Sequence, residues 1–182
     1  MGRRLFIILI VGSVFCACVS ENTGLSEKEL LGKALFFDEN LSEPAGQSCA
    51  TCHTVATGFA DKYSRTVSEG AVKGRFSNRN SMSCAYTAYI PGLYYNEEDE
   101  TYVGGLFWDG RVNTLEEQAG EPFLNLVEMG NTSSKMVVDK VKKSDYYVSF
   151  VRIYGEVENV DTFYARITDA IAAYERSIEL NP

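Results

Sequence analysis

Cys49-Ala50-Thr51-Cys52-His53 is the stretch that most restricts what this chain can fold into. Two thiols at CxxC spacing, followed at once by an imidazole, form the attachment motif of a c-type haem. Two thioether bonds fix one edge of the porphyrin, and the adjacent imidazole then falls beneath the iron as its axial ligand. The other readings of a CxxC pair fit less well. A structural zinc site needs further Cys or His ligands, whereas the sequence holds one histidine and five cysteines, two of them, Cys16 and Cys18, in an N-terminal apolar segment. A thioredoxin-like dithiol belongs near a βαβ pattern, and none is present. Cys84, the thiol left over, reads as a small buried apolar side chain.

The single histidine carries a second inference. With His53 spent on one face of the iron, no imidazole remains for the other. The sixth position is therefore open, water-filled, or taken by another side chain. Met82, Met129 and Met136 are the thioether candidates. A Met ligand raises the potential and favours electron transfer; an open position favours peroxide or oxygen chemistry.

The N-terminus reads as an export signal over residues 1–18. Arg3 and Arg4 precede an apolar run, Leu5 to Val19, that is shorter than the roughly 20 residues a bilayer-spanning helix needs. Ala17-Cys18 resembles a lipoprotein cleavage site with Cys18 as the lipidated residue, and simple cleavage is the alternative. The expected location is the periplasm or, through a lipid on Cys18, the outer membrane. Residues 19–25 read as a short linker and 26–182 as one domain. A net charge of −8 repels nucleic-acid phosphate. The same acidity serves solubility, and it also suits a basic redox partner.

Hydrophobic periodicity predicts an all-α domain. Ser26 caps a helix through Phe37, with Glu29 completing a capping box and Leu30, Leu31, Ala34 and Leu35 at helical spacing. A short helix is expected to carry Cys49 to His53. Thr114 caps another helix, with Glu116 and Glu117 in its first turn, where the helix dipole favours acids. Further helices are expected at Ser133–Lys142, Tyr146–Tyr154 and Asp161–Leu180, the last with Phe163, Ile167, Ala170, Ile171 and Tyr174 on one stripe. Thr54 to Tyr102 shows no clean period. Loops this long in a compact domain are usually functional or hold a ligand, and a haem is such a ligand.

These pieces together resemble the bacterial di-haem cytochrome c peroxidases, a family that includes the methylamine-utilisation maturation enzymes. Leu31-Gly32-Lys33-Ala34-Leu35-Phe36-Phe37-Asp38 and Ser48 to His53 resemble the start of its N-terminal haem domain. The likeness continues through Gly58-Phe59-Ala60-Asp61, Arg79-Asn80-Ser81, Phe107-Trp108-Asp109-Gly110-Arg111, Leu115 to Ala119, Val127-Glu128-Met129 and Ala170 to Arg176. The resemblance implies a cytochrome c-like fold with long irregular loops and one covalent haem c. It implies that Gln118 and Glu128 line a peroxide pocket, that Trp108 lies on an electron path between two haems, and that Asn80 contributes to an inter-domain calcium site. It also implies hydrogen peroxide as substrate and a small cytochrome or cupredoxin as electron donor.

Chemistry agrees on Glu128. Splitting peroxide heterolytically needs a group that takes a proton from one oxygen and returns it to the other, and a carboxylate in a dry pocket, its pKa raised by desolvation, does this. Gln118 is suited to holding the peroxide by hydrogen bonds. Trp108 is equally readable as core packing, and Arg79 and Arg111 as propionate partners or surface residues. Two departures from the family stand out. Many members carry a histidine just before the Arg-Asn pair that closes the iron until reduction; Gly70 to Arg75 has none, which predicts a haem needing no reductive opening. The family also has a second haem domain, whereas this sequence stops at Asn181-Pro182. The expectation is a lone domain, a split subunit or a fragment, whose turnover needs electrons from elsewhere. A non-enzymatic electron-transfer cytochrome and an oxidative modifier of a partner protein are the alternative functions.

Overall fold

The computed structural model describes residues 24–182 apart from Ser64. The export segment and Cys18 lie outside the described residues. Among the described residues six α-helices follow in order: α1 (Glu27–Phe37), α2 (Cys49–Cys52), α3 (Leu115–Leu124), α4 (Ser134–Val141), α5 (Tyr147–Tyr154) and α6 (Val160–Glu175). The chain is mostly helical, as its periodicity predicts.

The helix starts are written in the sequence. Ser26 Oγ accepts from the Glu29 amide while the Glu29 carboxylate accepts from the Ser26 amide, and Thr114 with Glu117 repeats the arrangement on α3. Each pair satisfies amides that have no partner within the helix. The apolar stripe of α6, from Phe163 to Tyr174, is buried throughout. It packs on α1, α3 and α4. Phe150 of α5 stacks on Phe163 with ring centroids 4.1 Å apart. Burying an aromatic side chain of this kind contributes about 1.5–3 kcal/mol.

Gly32 sets how closely α1 and α6 cross. A Cβ there would stand 1.9 Å from the Ala170 carbonyl oxygen, so the two backbones touch at a point only glycine permits. The crossing seats Phe36 against Tyr174 and Phe59. It also brings the residues after α1 next to the end of α6.

Two elements differ from expectation. Helix α6 ends at Glu175, and Ser177 to Leu180 turn back instead of continuing it. Asn181 Nδ2 donates to the carbonyls of Glu175 and Ser177, closing that turn. In the long irregular region, a small antiparallel hairpin pairs β1 (Tyr94–Asn96) with β2 (Thr101–Val103), Tyr95 opposite Tyr102. Its strands are three residues long and mostly exposed, so they carry no buried, alternating face for a pattern to reveal. Cys84 is buried, as expected of a free apolar thiol.

Candidate functional site

One large cavity, about 450 Å³, opens between the start of α2, the loops from 77 to 84 and 105 to 111, helix α3 with its following turn, and the end of α6. Its volume falls in the range of about 300–1,000 Å³ usual for cofactor sites. Cys49, Cys52, His53, Gln118, Glu128 and Trp108 all border it. Residues spread over more than seventy positions of sequence thus meet in one place.

The CxxC wall is built locally. Ser48 caps α2, and its amide donates to Thr51 Oγ1 at 3.0 Å. Gln47 Nε2 donates to Cys52 Sγ at 3.3 Å and to the Glu69 carbonyl at 3.2 Å. Burial pushes the Cys49 thiol far above its ordinary range and raises Cys52 as well. Both sulfurs are therefore neutral thiols in an apolar wall.

His53 closes α2 and turns into the cavity. Its Nδ1 lies 3.0 Å from the Phe59 carbonyl oxygen. A carbonyl only accepts, so Nδ1 carries the proton and Nε2 keeps its lone pair for a metal. Burial drives the imidazole below its ordinary pKa, against the pull of the Phe59 and Met82 backbone and Asp61. The same Phe59 carbonyl accepts from the Cys84 amide at 3.1 Å. Asp61, buried, accepts from Ser68 Oγ at 2.6 Å and from the Tyr63 and Arg65 amides. It thereby holds the loop after the histidine. Two thiols and an imidazole with an available Nε2 on one apolar wall form the donor set a covalently held iron porphyrin requires.

Another part of the lining comes from α3 and the turn after it. Pro122 has no N–H to give the Gln118 carbonyl four residues back, and α3 ends two residues later. Asn131, fully buried, then donates from Nδ2 to the carbonyls of Leu41 and Phe123 and pins the turn. Glu128 sits in this turn, half-buried. Gly70 comes so close to it that a Cβ would stand 2.2 Å from the Val127 oxygen, and the Ala71 amide donates to the Glu128 carbonyl at 2.7 Å. Burial raises the Glu128 pKa, opposed by a hydrogen bond from Ser77 and the charge of Arg111.

Trp108 stands at the rim. It is 59 % exposed, which excludes the core-packing reading, and its Nε1 donates to the Asn80 carbonyl at 3.0 Å. Phe107 holds a positive φ of 61°, and the Arg111 guanidinium stacks on its ring at 3.6 Å. Arg79 and Arg111 both pair with Asp109, and Arg111 also with Glu121. The two arginines are thus largely committed to carboxylates along the cavity edge. Asn80 is exposed, its Nδ2 donating to the Arg65 carbonyl at 2.9 Å. Among the described residues, no group of three or more His, Cys, Asp or Glu side chains is placed to hold a metal ion.

Of the thioether candidates, Met82 and Met129 border the cavity. Met136 does not; its sulfur accepts from Thr132 Oγ1 at 3.0 Å. Sequence reasoning missed Glu175, which borders the cavity beside Cys49 and Cys84 and is 3 % exposed. Its signal was present: Ile167, Ile171 and Glu175 recur at intervals of four along a buried stripe, and an acid there is out of place.

A helical domain whose cavity gathers a CxxCH motif with an amide and a carboxyl has the donor set of a c-type haem domain. Residues 26–181 match the family of di-haem cytochrome c peroxidases, and the chain belongs to that family, whose members carry haem c and are periplasmic. It is 35% identical over 159 residues to the methylamine utilization protein MauG of Paracoccus denitrificans, covering 84% of this chain and 41% of that protein. It is 32% identical over 148 residues to the cytochrome c551 peroxidase of Pseudomonas aeruginosa, covering 81% and 38%. The crystal structure of the diheme peroxidase BthA from Burkholderia thailandensis superposes with a TM-score of 0.79 at 32% identity, over 85% of this chain and 39% of that one. The chain spans about two-fifths of the length of these relatives. Among the described residues, no helix is long and apolar enough to cross a membrane.

Proposed function

We propose that residues 26–182 form a peroxidatic haem c domain that reduces hydrogen peroxide with electrons from a small cytochrome or cupredoxin. The observation that carries the reading is the meeting of Cys49, Cys52 and His53 with Gln118 and Glu128 around one cavity. In this reading Cys49 and Cys52 hold the porphyrin and His53 Nε2 ligates the iron. A haem so held supplies the iron at which peroxide is reduced.

The protein's own groups do the rest. Glu128 accepts a proton from the near oxygen of peroxide and delivers it to the departing one. Its raised pKa, caused by burial, brings it closer to neutrality and suits both halves of that task. The Gln118 side-chain amide both donates and accepts, so it orients the peroxide. Trp108, exposed and aromatic at the rim, is the entry point for electrons. Asn80, whose carbonyl holds the Trp108 indole, is this chain's share of a calcium site completed by ligands from elsewhere. A second haem domain packing near Trp108 would serve as the electron source. Export by residues 1–18, with Cys18 as lipid anchor or with simple cleavage, completes the proposal.

Met82 and Met129, both at the cavity, favour one competing reading, a Met-ligated electron-transfer cytochrome. Optical and spin-state spectra of the ferric and ferrous protein, with and without peroxide, separate the two. A high-spin ferric haem that reacts with peroxide is expected. A low-spin, Met-ligated haem indifferent to peroxide sinks the peroxidase reading, and a protein without covalent haem sinks both.

A further inference from the structure

Glu175 is a buried acid that the peroxide chemistry does not use. It ends α6 and is 3 % exposed, and its Oε2 has no hydrogen-bond partner. The cation acting on it, Arg176, is exposed and committed to Glu116 through two bonds of 2.6 and 2.9 Å. From α2 it faces Cys49, half-buried and uncharged as thiol or thioether, and from the loop before the hairpin it faces the buried neutral thiol of Cys84. From α3 it feels Glu116, which opposes its ionisation. From α1 the neighbouring cavity residue is the apolar Phe36, while Lys33 is tied to Glu179. Cys49 is a thioether position rather than an iron ligand; Glu175 acts on Cys49, whereas the acid acting on His53 is Asp61.

A charge in such a place is expensive unless paired, and a carboxyl without a partner responds by holding its proton. Burial raises Glu175 to about 8, within reach of neutral pH. Whatever charge enters the cavity next to it then decides whether the proton stays.

Resting on the haem reading above, we propose that Glu175 is a redox-linked proton site: it takes up one proton from solvent as one electron from a small redox carrier reduces the haem. The electron adds one negative charge to the cavity, and conversion of the Glu175 carboxylate to the acid removes one. On oxidation the electron leaves to an acceptor and the proton returns to solvent. The two charges balance, so the buried cavity keeps its net charge through the cycle.

The test is spectroelectrochemical titration of the haem-loaded protein between about pH 6 and about pH 9, on either side of the Glu175 value. The midpoint potential is expected to fall with rising pH, by up to about 59 mV per unit, the one-electron equivalent of a tenfold change. Glu128→Gln should retain this slope and Glu175→Gln should lose it, while Glu175→Asp retains it with a displaced inflection. An unchanged slope in Glu175→Gln, or a slope lost in Glu128→Gln alone, overturns the inference. Should Glu175→Gln fail to load haem, infrared redox-difference spectra of Glu128→Gln decide. A carboxylic-acid carbonyl band that grows on reduction and shifts in D₂O supports Glu175, and its absence overturns it. A haem couple with a pH-independent midpoint defeats this inference alone; a chain with no haem couple defeats the reading beneath it.

Discussion

Gly70→Ala tests how Glu128 is positioned. Gly70 has an ordinary negative φ, so alanine is acceptable to its own backbone. The obstacle is across the gap: the new Cβ would lie 2.2 Å from the Val127 oxygen, 2.7 Å from the Val127 carbonyl carbon and 2.9 Å from the Glu128 oxygen. All three are backbone atoms, so no side chain can swing aside. Restoring van der Waals contact moves the 127–128 turn by about 1 Å, and overpacking of this sort costs roughly 1–3 kcal/mol. The same shift stretches the 2.7 Å bond from the Ala71 amide to the Glu128 carbonyl beyond useful length. A misplacement of about 1 Å at a reacting centre lowers rate on the order of a hundredfold, or about 2.7 kcal/mol of barrier. Stopped-flow measurement of the reaction between haem-loaded protein and peroxide reads the rate, and urea unfolding reads the stability. Haem content is read alongside, because Gly70 follows Glu69, whose carbonyl accepts from the same Gln47 Nε2 that donates to Cys52 Sγ; it should stay as in the parent when the shift is confined to the 127–128 turn. A variant that folds with the expected loss of stability yet reacts within about twofold of the parent rate would falsify the positioning role.

Four further outcomes are expected. Glu128→Gln should slow the peroxide reaction by on the order of 10²- to 10⁴-fold. In the parent, the acid limb of the rate profile should lie above the ordinary glutamate range, because the proton acceptor must be ionised and burial raises its pKa. Asp61→Asn should destabilise the loop between His53 and Asn80. Burial opposes ionisation of Asp61, but the bonds from Ser68, Arg65 and Tyr63 outweigh it and hold the pKa below the usual value. A depressed acid stabilises the fold above its unfolded pKa and loses that contribution as pH falls through the folded one, so urea midpoints of parent and variant should converge in acid. Gly32→Ala should cost at least about 3 kcal/mol, the upper end of overpacking. The Ala170 oxygen, 1.9 Å from the new Cβ, belongs to a helix that the whole core packs against, and chemical denaturation reads the loss directly.

Local rules made much of this protein legible in one dimension. The capping boxes at Ser26 and Thr114 depend on residues three apart, and the stripe of α6 on the 3.6-residue turn. The thiols and imidazole of Cys49 to His53 carry their chemistry at fixed spacing wherever the motif folds. The all-α architecture and the identity of the proposed porphyrin-binding residues follow from such short-range relations. The hairpin at Tyr94–Val103 escaped because three-residue exposed strands leave no alternating signature.

Distance in sequence is what only the tertiary structure resolved. Nothing local tells that Gly70 abuts Val127, that Phe59 accepts from His53, or that Trp108 stands exposed on the Asn80 carbonyl. Burial is a collective property, so neither the raised pKa of Glu128 nor the isolation of Glu175 exists until α1, α3 and α6 close around the cavity. The order of residues determined which groups bring the chemistry; the packing decided how near they stand and how dry they are.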